Sequence, residues 1–118
     1  MTPEQAVARR KKAVAAAKAL LSLEYGFYFG AQRIRTALSL IDEEYLVRFP
    51  AFQKFLEEVP LGTPTGQLRL LCQVDYLMAS DKILATAEAA HRAALLQECL
   101  AVVRALGNNE TRAEDTHK

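Results

Sequence analysis

The chain has 118 residues, 51% of them hydrophobic and 25% charged, which is enough to bury one core without disulfide or metal staples and too apolar for a mainly disordered chain. A net charge of +1 and a sequence pI near 7.8 supply no global field for nucleic acid or an anionic membrane, so either partner requires a local patch. Two cysteines, Cys72 and Cys99, are too few and too apolar in setting for a disulfide framework or a zinc site, which points to a reducing, cytoplasmic compartment.

In chain order, Thr2-Pro3-Glu4-Gln5 supplies a capping hydroxyl, a proline at the first helical position and a glutamine three residues after the cap. This charged start is not an apolar signal, and no apolar run approaches the roughly 20 residues that span a bilayer, so the chain reads as neither secreted nor transmembrane. A first helix is expected to about Ser22. Its Ala6, Ala13, Ala17 and Leu20 share one side, where small side chains admit a close neighbour. Arg9, Arg10, Lys11, Lys12 and Lys18 occupy much of the remainder, as a solvated face or as a site for an anionic partner.

The pattern breaks over residues 24–26, and a second helix is expected over residues 27–41. Phe27, Ala31, Ile34, Leu38 and Ile41 step by four, three, four and three, the clearest amphipathic stripe in the chain. Glycine costs a helix up to about 1 kcal/mol relative to alanine, so Gly30 inside this one implies close contact with a neighbour. Asp42-Glu43-Glu44 ends the segment with acid. Pro50 starts a third helix with a core face of Phe52, Phe55, Leu56 and Val59, and Pro60 stops it. Residues 61–66 are the one connection dense in turn residues. A short helical piece over residues 67–73 leads into, or merges with, the final helical run of residues 74–106. Gly107-Asn108-Asn109 stops that run, and residues 108–118 are expected to be a disordered tail.

The final run carries the one chemical tension in the chain. Leu77, Leu84, Leu95, Cys99, Val102 and Leu106 align along it, and Asp81, Glu88 and His91 fall on the same line. An acid in an apolar stripe must find a cation, reach water or change protonation state. Arg33 and Arg69 are the candidate partners, because a guanidinium fork satisfies a carboxylate with two hydrogen bonds. Two arrangements follow. In the first, a core ion-pair network fixes helix register, and removing Asp81 or Glu88 costs a few kcal/mol by stranding the partner's charge. In the second, Arg33, Arg69, Asp81, Glu88 and His91 line a polar pocket that binds a ligand.

Other chemistry has little support. The only histidines are His91, on the core line, and His117, in the tail, so no Ser or Cys has an evident base. No helix pairs metal ligands with a second such pair opposite. Residues 26–30 place bulky aromatics where a phosphate cradle needs open backbone amides and a lysine. No catalytic, cofactor-binding or metal-binding residue is assigned, and no cofactor is expected.

Leu21-Ser22, Glu24, Gly26, Gly30 and Arg33, then Pro64, Gly66 and Arg69, then Asp81, Glu88 and Cys99 follow an order and spacing that resembles a family of small bacterial helical proteins catalogued only as a domain of unknown function. The resemblance covers residues 17–106. The chain departs from the family pattern at Phe29, where the family has an acid, and at Cys72, where it has tryptophan. Loss of the acid counts against shared ligand chemistry. The resemblance implies a stand-alone helical domain, draws attention to Arg33, Arg69, Asp81 and Glu88, and implies no activity.

The expectation is one all-α domain over residues 1–107, a bundle of four or five helices with a long C-terminal helix. Its function is read as non-enzymatic binding of another protein, an immunity or antitoxin-like inhibitor being one concrete form. Leu40, Tyr45, Leu46 and Leu100 are candidate contacts, for a partner or for a homodimer. The alternatives are nucleic-acid binding through the basic first helix, and a ligand binder or enzyme built on the Arg/Asp/Glu/His set.

Overall fold

The computed structural model describes residues 2–24, 26–60, 63–64 and 66–107, and over these it contains helices and connections without a strand. Five α-helices follow in order: α1 (Pro3–Leu21), α2 (Phe27–Ile41), α3 (Glu44–Arg48), α4 (Ala51–Glu58) and α5 (Val74–Val102). A 3-10 turn (Gly66–Leu71) precedes α5 and a π turn (Val103–Gly107) ends it. The fold is an all-α bundle with a long last helix. Residues 61, 62 and 65 of the turn-rich connection, and the expected tail 108–118 with His117, lie outside the described residues.

Local chemistry sets the ends of α1. The Gln5 amide donates to Thr2 Oγ1 at 3.1 Å, and the Thr2 amide donates to Gln5 Oε1 at 3.0 Å, a reciprocal capping box with Pro3 in the first turn. At the other end, the Glu24 amide donates to the Ala19 carbonyl at 2.9 Å and the Leu23 amide to Leu20 at 3.0 Å. That is a Schellman closure, and it puts Leu23 at φ 60°, a conformation usually filled by glycine.

The closure sends α2 back along α1. Gly30 is where the two helices touch, since a Cβ there would lie 2.6 Å from Leu20 Cδ1. At the far end of the pair, Arg9 Nη1 donates to the Leu40 carbonyl at 2.6 Å and so ties α1 to the last turn of α2. α3 is absent from the sequence expectation, because a five-residue helix is too short to show a period. Its start is set by Asp42 Oδ1, which accepts from the Glu44 amide at 3.0 Å. α4 begins at Pro50, where the Ala51 amide donates to Glu98 Oε1 of α5 at 3.4 Å, placing a carboxylate at a helix N-terminus.

The core lies where these helices meet the second half of α5. Leu20, Ile34, Leu38, Phe52 and Phe55 pack with Leu95, Cys99, Val102 and Leu106, all essentially inaccessible. The first buried residue of α5 is Ala87. At about 1.5 Å per residue the 29-residue helix is about 43 Å long, in a molecule measuring 58 × 26 × 24 Å. Residues 66–83 therefore form an arm that extends beyond the packed core, and Leu84 is the first α5 side chain that packs against it.

Candidate functional site

The acids of the α5 stripe do not share one environment. Asp81 sits on the arm, where Arg69 grips it as a fork, Nη1 to Oδ1 at 2.6 Å and Nη2 to Oδ2 at 2.8 Å. The pair clamps the 3-10 turn back onto α5 and is solvated, with side chains 37% and 48% exposed. Hydrogen bonding to the Arg69 guanidinium holds the Asp81 carboxyl below the usual carboxylate range. No polar or charged side chain among the described residues is buried, so the expected core ion-pair network is not formed. A stripe position is a core position only where another helix passes, and among the described residues no other α-helix packs over Asp81.

Glu88 lies at the junction of arm and bundle. Partial burial pushes its carboxyl above the usual range, opposed by the charge of Arg92 one turn further on. Arg92 also stacks 5.6 Å from the centre of the Phe27 ring. His91 meets Glu58 at the end of α4, with Nε2 2.6 Å from Oε2, and its ring lies 5.8 Å from that of Phe55. This contact pins α4 to α5, and Glu58 is a partner that the sequence did not single out.

Arg33 is on α2, 5.7 Å from the centre of the Phe29 ring. It lines a groove of about 270 Å³ between α1 and α2, together with Lys12, Ala16, Gln32, Thr36, Ala37 and Leu40. A second groove of about 370 Å³ runs between the end of α4 and α5, lined by Glu58, Lys82, Ile83, Thr86, Ala87 and Ala90. The five residues of the proposed polar pocket thus fall in separate places: Arg33 in the first groove, Arg69 with Asp81 on the arm, Glu88 and His91 at the junction. Asp81 and His91 are ten residues apart, about 15 Å along the helix. Neither groove contains a histidine or cysteine. No group of three metal-capable side chains occurs among the described residues, and no helix among them is long and apolar enough to cross a membrane.

The basic residues of α1 also divide. Arg9 is bound to the Leu40 carbonyl, and Arg10 is half-buried with its Nε unpartnered. Lys12 faces the α1–α2 groove, while Lys11 and Lys18, seven residues apart, share an outward face. Consecutive residues on a helix point in different directions, so the run does not make a single cationic face.

The feature the sequence reading missed is apolar. Leu68, Leu70, Leu71, Val74, Tyr76, Met78 and Ile83 are 49–84% exposed, so seven of the thirteen exposed large hydrophobics among the described residues lie on the arm. Of the contacts expected instead, Leu40 and Leu100 are exposed, whereas Tyr45 and Leu46 turn in against the core. A signal was present in the first half of α5. Val74, Tyr76, Leu77, Met78, Ile83 and Leu84 cover more of the helix circumference than one core stripe requires. Both thiols are free, and burial pushes that of Cys99 up to about 12. No family model matches the chain, and it matches no curated protein and no solved structure.

Proposed function

We propose that this is a non-enzymatic, cytoplasmic bacterial protein that works by binding another protein, and that the arm formed by the 3-10 turn and the first half of α5 is its contact surface. The observation that supports this reading is the concentration of exposed apolar side chains on that arm. Single exposed leucines are normal on a protein surface, but a contiguous set on one projecting element is not. Burying a side chain such as Leu70 or Met78 releases about 1.5–3 kcal/mol, a driving force that the isolated chain leaves unused. An immunity or antitoxin-like inhibitor is one form such a module takes. The nucleic-acid alternative has a smaller basis, since Lys11 and Lys18 are the two cations that share the outward face of α1.

The test is a photo-crosslinking amino acid placed singly at Leu70, at Met78 and, as a control, at the 78%-exposed Val47 of α3, in cells that express the protein natively. Discrete protein adducts from the two arm positions and none from Val47 are expected. Arm positions that yield no protein adduct overturn the reading.

A further inference from the structure

We propose that the arm pairs with the arm of a second copy of this chain, antiparallel, about a two-fold axis at Met78. The inference rests on the arm being a protein-binding surface and names its partner. Along one face of α5, Val74, Met78, Ala85 and Ala89 are all exposed, with Asp75 and Lys82 beside them. Spacings of four, seven and four keep these positions on one side of the helix, the seam used when two helices lie together.

An axis at Met78 sets each residue opposite the one equally far on its other side. Met78 of each copy then meets the other on the axis, and Val74 lies level with Lys82 of the second copy, twice by symmetry. Asp75 lies three residues before the axis and Lys82 four after it, so each lysine arrives within one residue of an aspartate, inside the reach of its flexible stem. Parallel pairing in register instead sets Asp75 against Asp75 and Lys82 against Lys82. The order of charge along the seam therefore selects the antiparallel arrangement.

The rest of the arm is compatible with self-association. Its charged residues are Arg69, Asp75, Asp81 and Lys82, which cancel, and Arg69 and Asp81 are already joined to one another. Two arms consequently approach without net repulsion. The stretch of α5 centred on that axis, residues 74 to 82, spans about 12 Å of helix, a small contact and therefore a reversible one.

Sedimentation equilibrium of the purified protein over a micromolar concentration series is expected to show a monomer–dimer equilibrium. Met78→Glu should raise the dimer Kd at least about tenfold, the size expected for placing two charges together on the axis. Asp75→Lys and Lys82→Asp should each weaken the dimer, and the double variant should restore it, all with unchanged helical circular dichroism. A wild-type protein that stays monomeric to several hundred micromolar overturns self-pairing; protein adducts from the arm in cells would then still support a different partner. A dimer indifferent to Met78→Glu, or a charge swap that does not restore, overturns the proposed geometry.

Discussion

The two halves of α5 make an instructive comparison. Both are rich in apolar residues, both belong to one unbroken helix, and both carry an acid on the same stripe. From Ala87 onward the stripe is sealed by α1, α2 and α4, and Leu95, Cys99 and Val102 are inaccessible. Before Ala87 most comparable residues stand in water, Leu84 at the junction being packed against the core. The difference is made by the other helices, since the antiparallel α1–α2 pair and the short α4 reach only one half of a helix about 43 Å long. Hydrophobicity therefore marks where burial is favourable, and topology decides whether this chain alone supplies it.

The sharpest way to break the comparison is to remove equivalent bulk from each half. Leu95→Ala should cost about 3 kcal/mol, because it empties a site closed on all sides. Met78→Ala, 67% exposed, should stay within about 0.5 kcal/mol when measured below micromolar protein concentration, where pairing contributes nothing. Denaturant unfolding of both variants measures the difference. A large loss at Met78 in the dilute monomer would mean that the arm packs on its own bundle after all.

The two thiols sharpen the same contrast. With burial pushing Cys99 up to about 12, roughly one molecule in ten thousand carries its thiolate at pH 8, and the sulfur is also shielded. Cys72, between the 3-10 turn and the start of α5, is partly accessible, and its Sγ lies 3.4 Å from the Leu68 carbonyl. Under native conditions iodoacetamide should modify one cysteine, identified by peptide mapping as Cys72. Cys99 should react only once the chain unfolds. Equal labelling of both would show that the second half of α5 opens readily.

What was legible in the sequence was local. The capping box at Thr2, the stripe that defines Phe27–Ile41 and the close approach at Gly30 all arise from residues within a few positions of one another, or from a glycine whose cost demands a cause. The Schellman turn with leucine at its left-handed position was not legible, since glycine is its usual mark. α3 escaped because one helical turn has no period. At the candidate site, Arg69 and Asp81 could be named as partners from their chemistry, but not their solvation, because helical periodicity gives a side and not a neighbour. Glu58 stands 33 residues before His91, a separation that no local rule bridges. The exposed arm was hidden for the same reason, as an apolar side chain reads alike in a core and at an interface.

The smallest expected effects come from the two acids, and their signs differ. Glu88 has a raised carboxyl pKa in the fold, so the unfolded chain releases this proton first as pH rises. Its contribution to stability therefore falls through the window between the ordinary carboxylate value and the raised one, and stays low above it. Asp81 is held low by Arg69, so its contribution is present above the ordinary value and is lost as pH drops through the depressed one. Melting temperatures measured from pH 3 to pH 7 separate them. Glu88→Gln should melt above the wild type at pH 7 and level with it at pH 3, because the variant no longer has a carboxylate to desolvate. Asp81→Asn should stay within error of the wild type at neutral pH, since the ion pair it breaks is solvated and screened. What that variant should change is the 3-10 turn, which loses its fork to α5 and should exchange its amides faster with deuterium. A fall of several degrees for Asp81→Asn would return the pair to the core network that the stripe suggested, and would require the arm to be covered in solution even in the monomer.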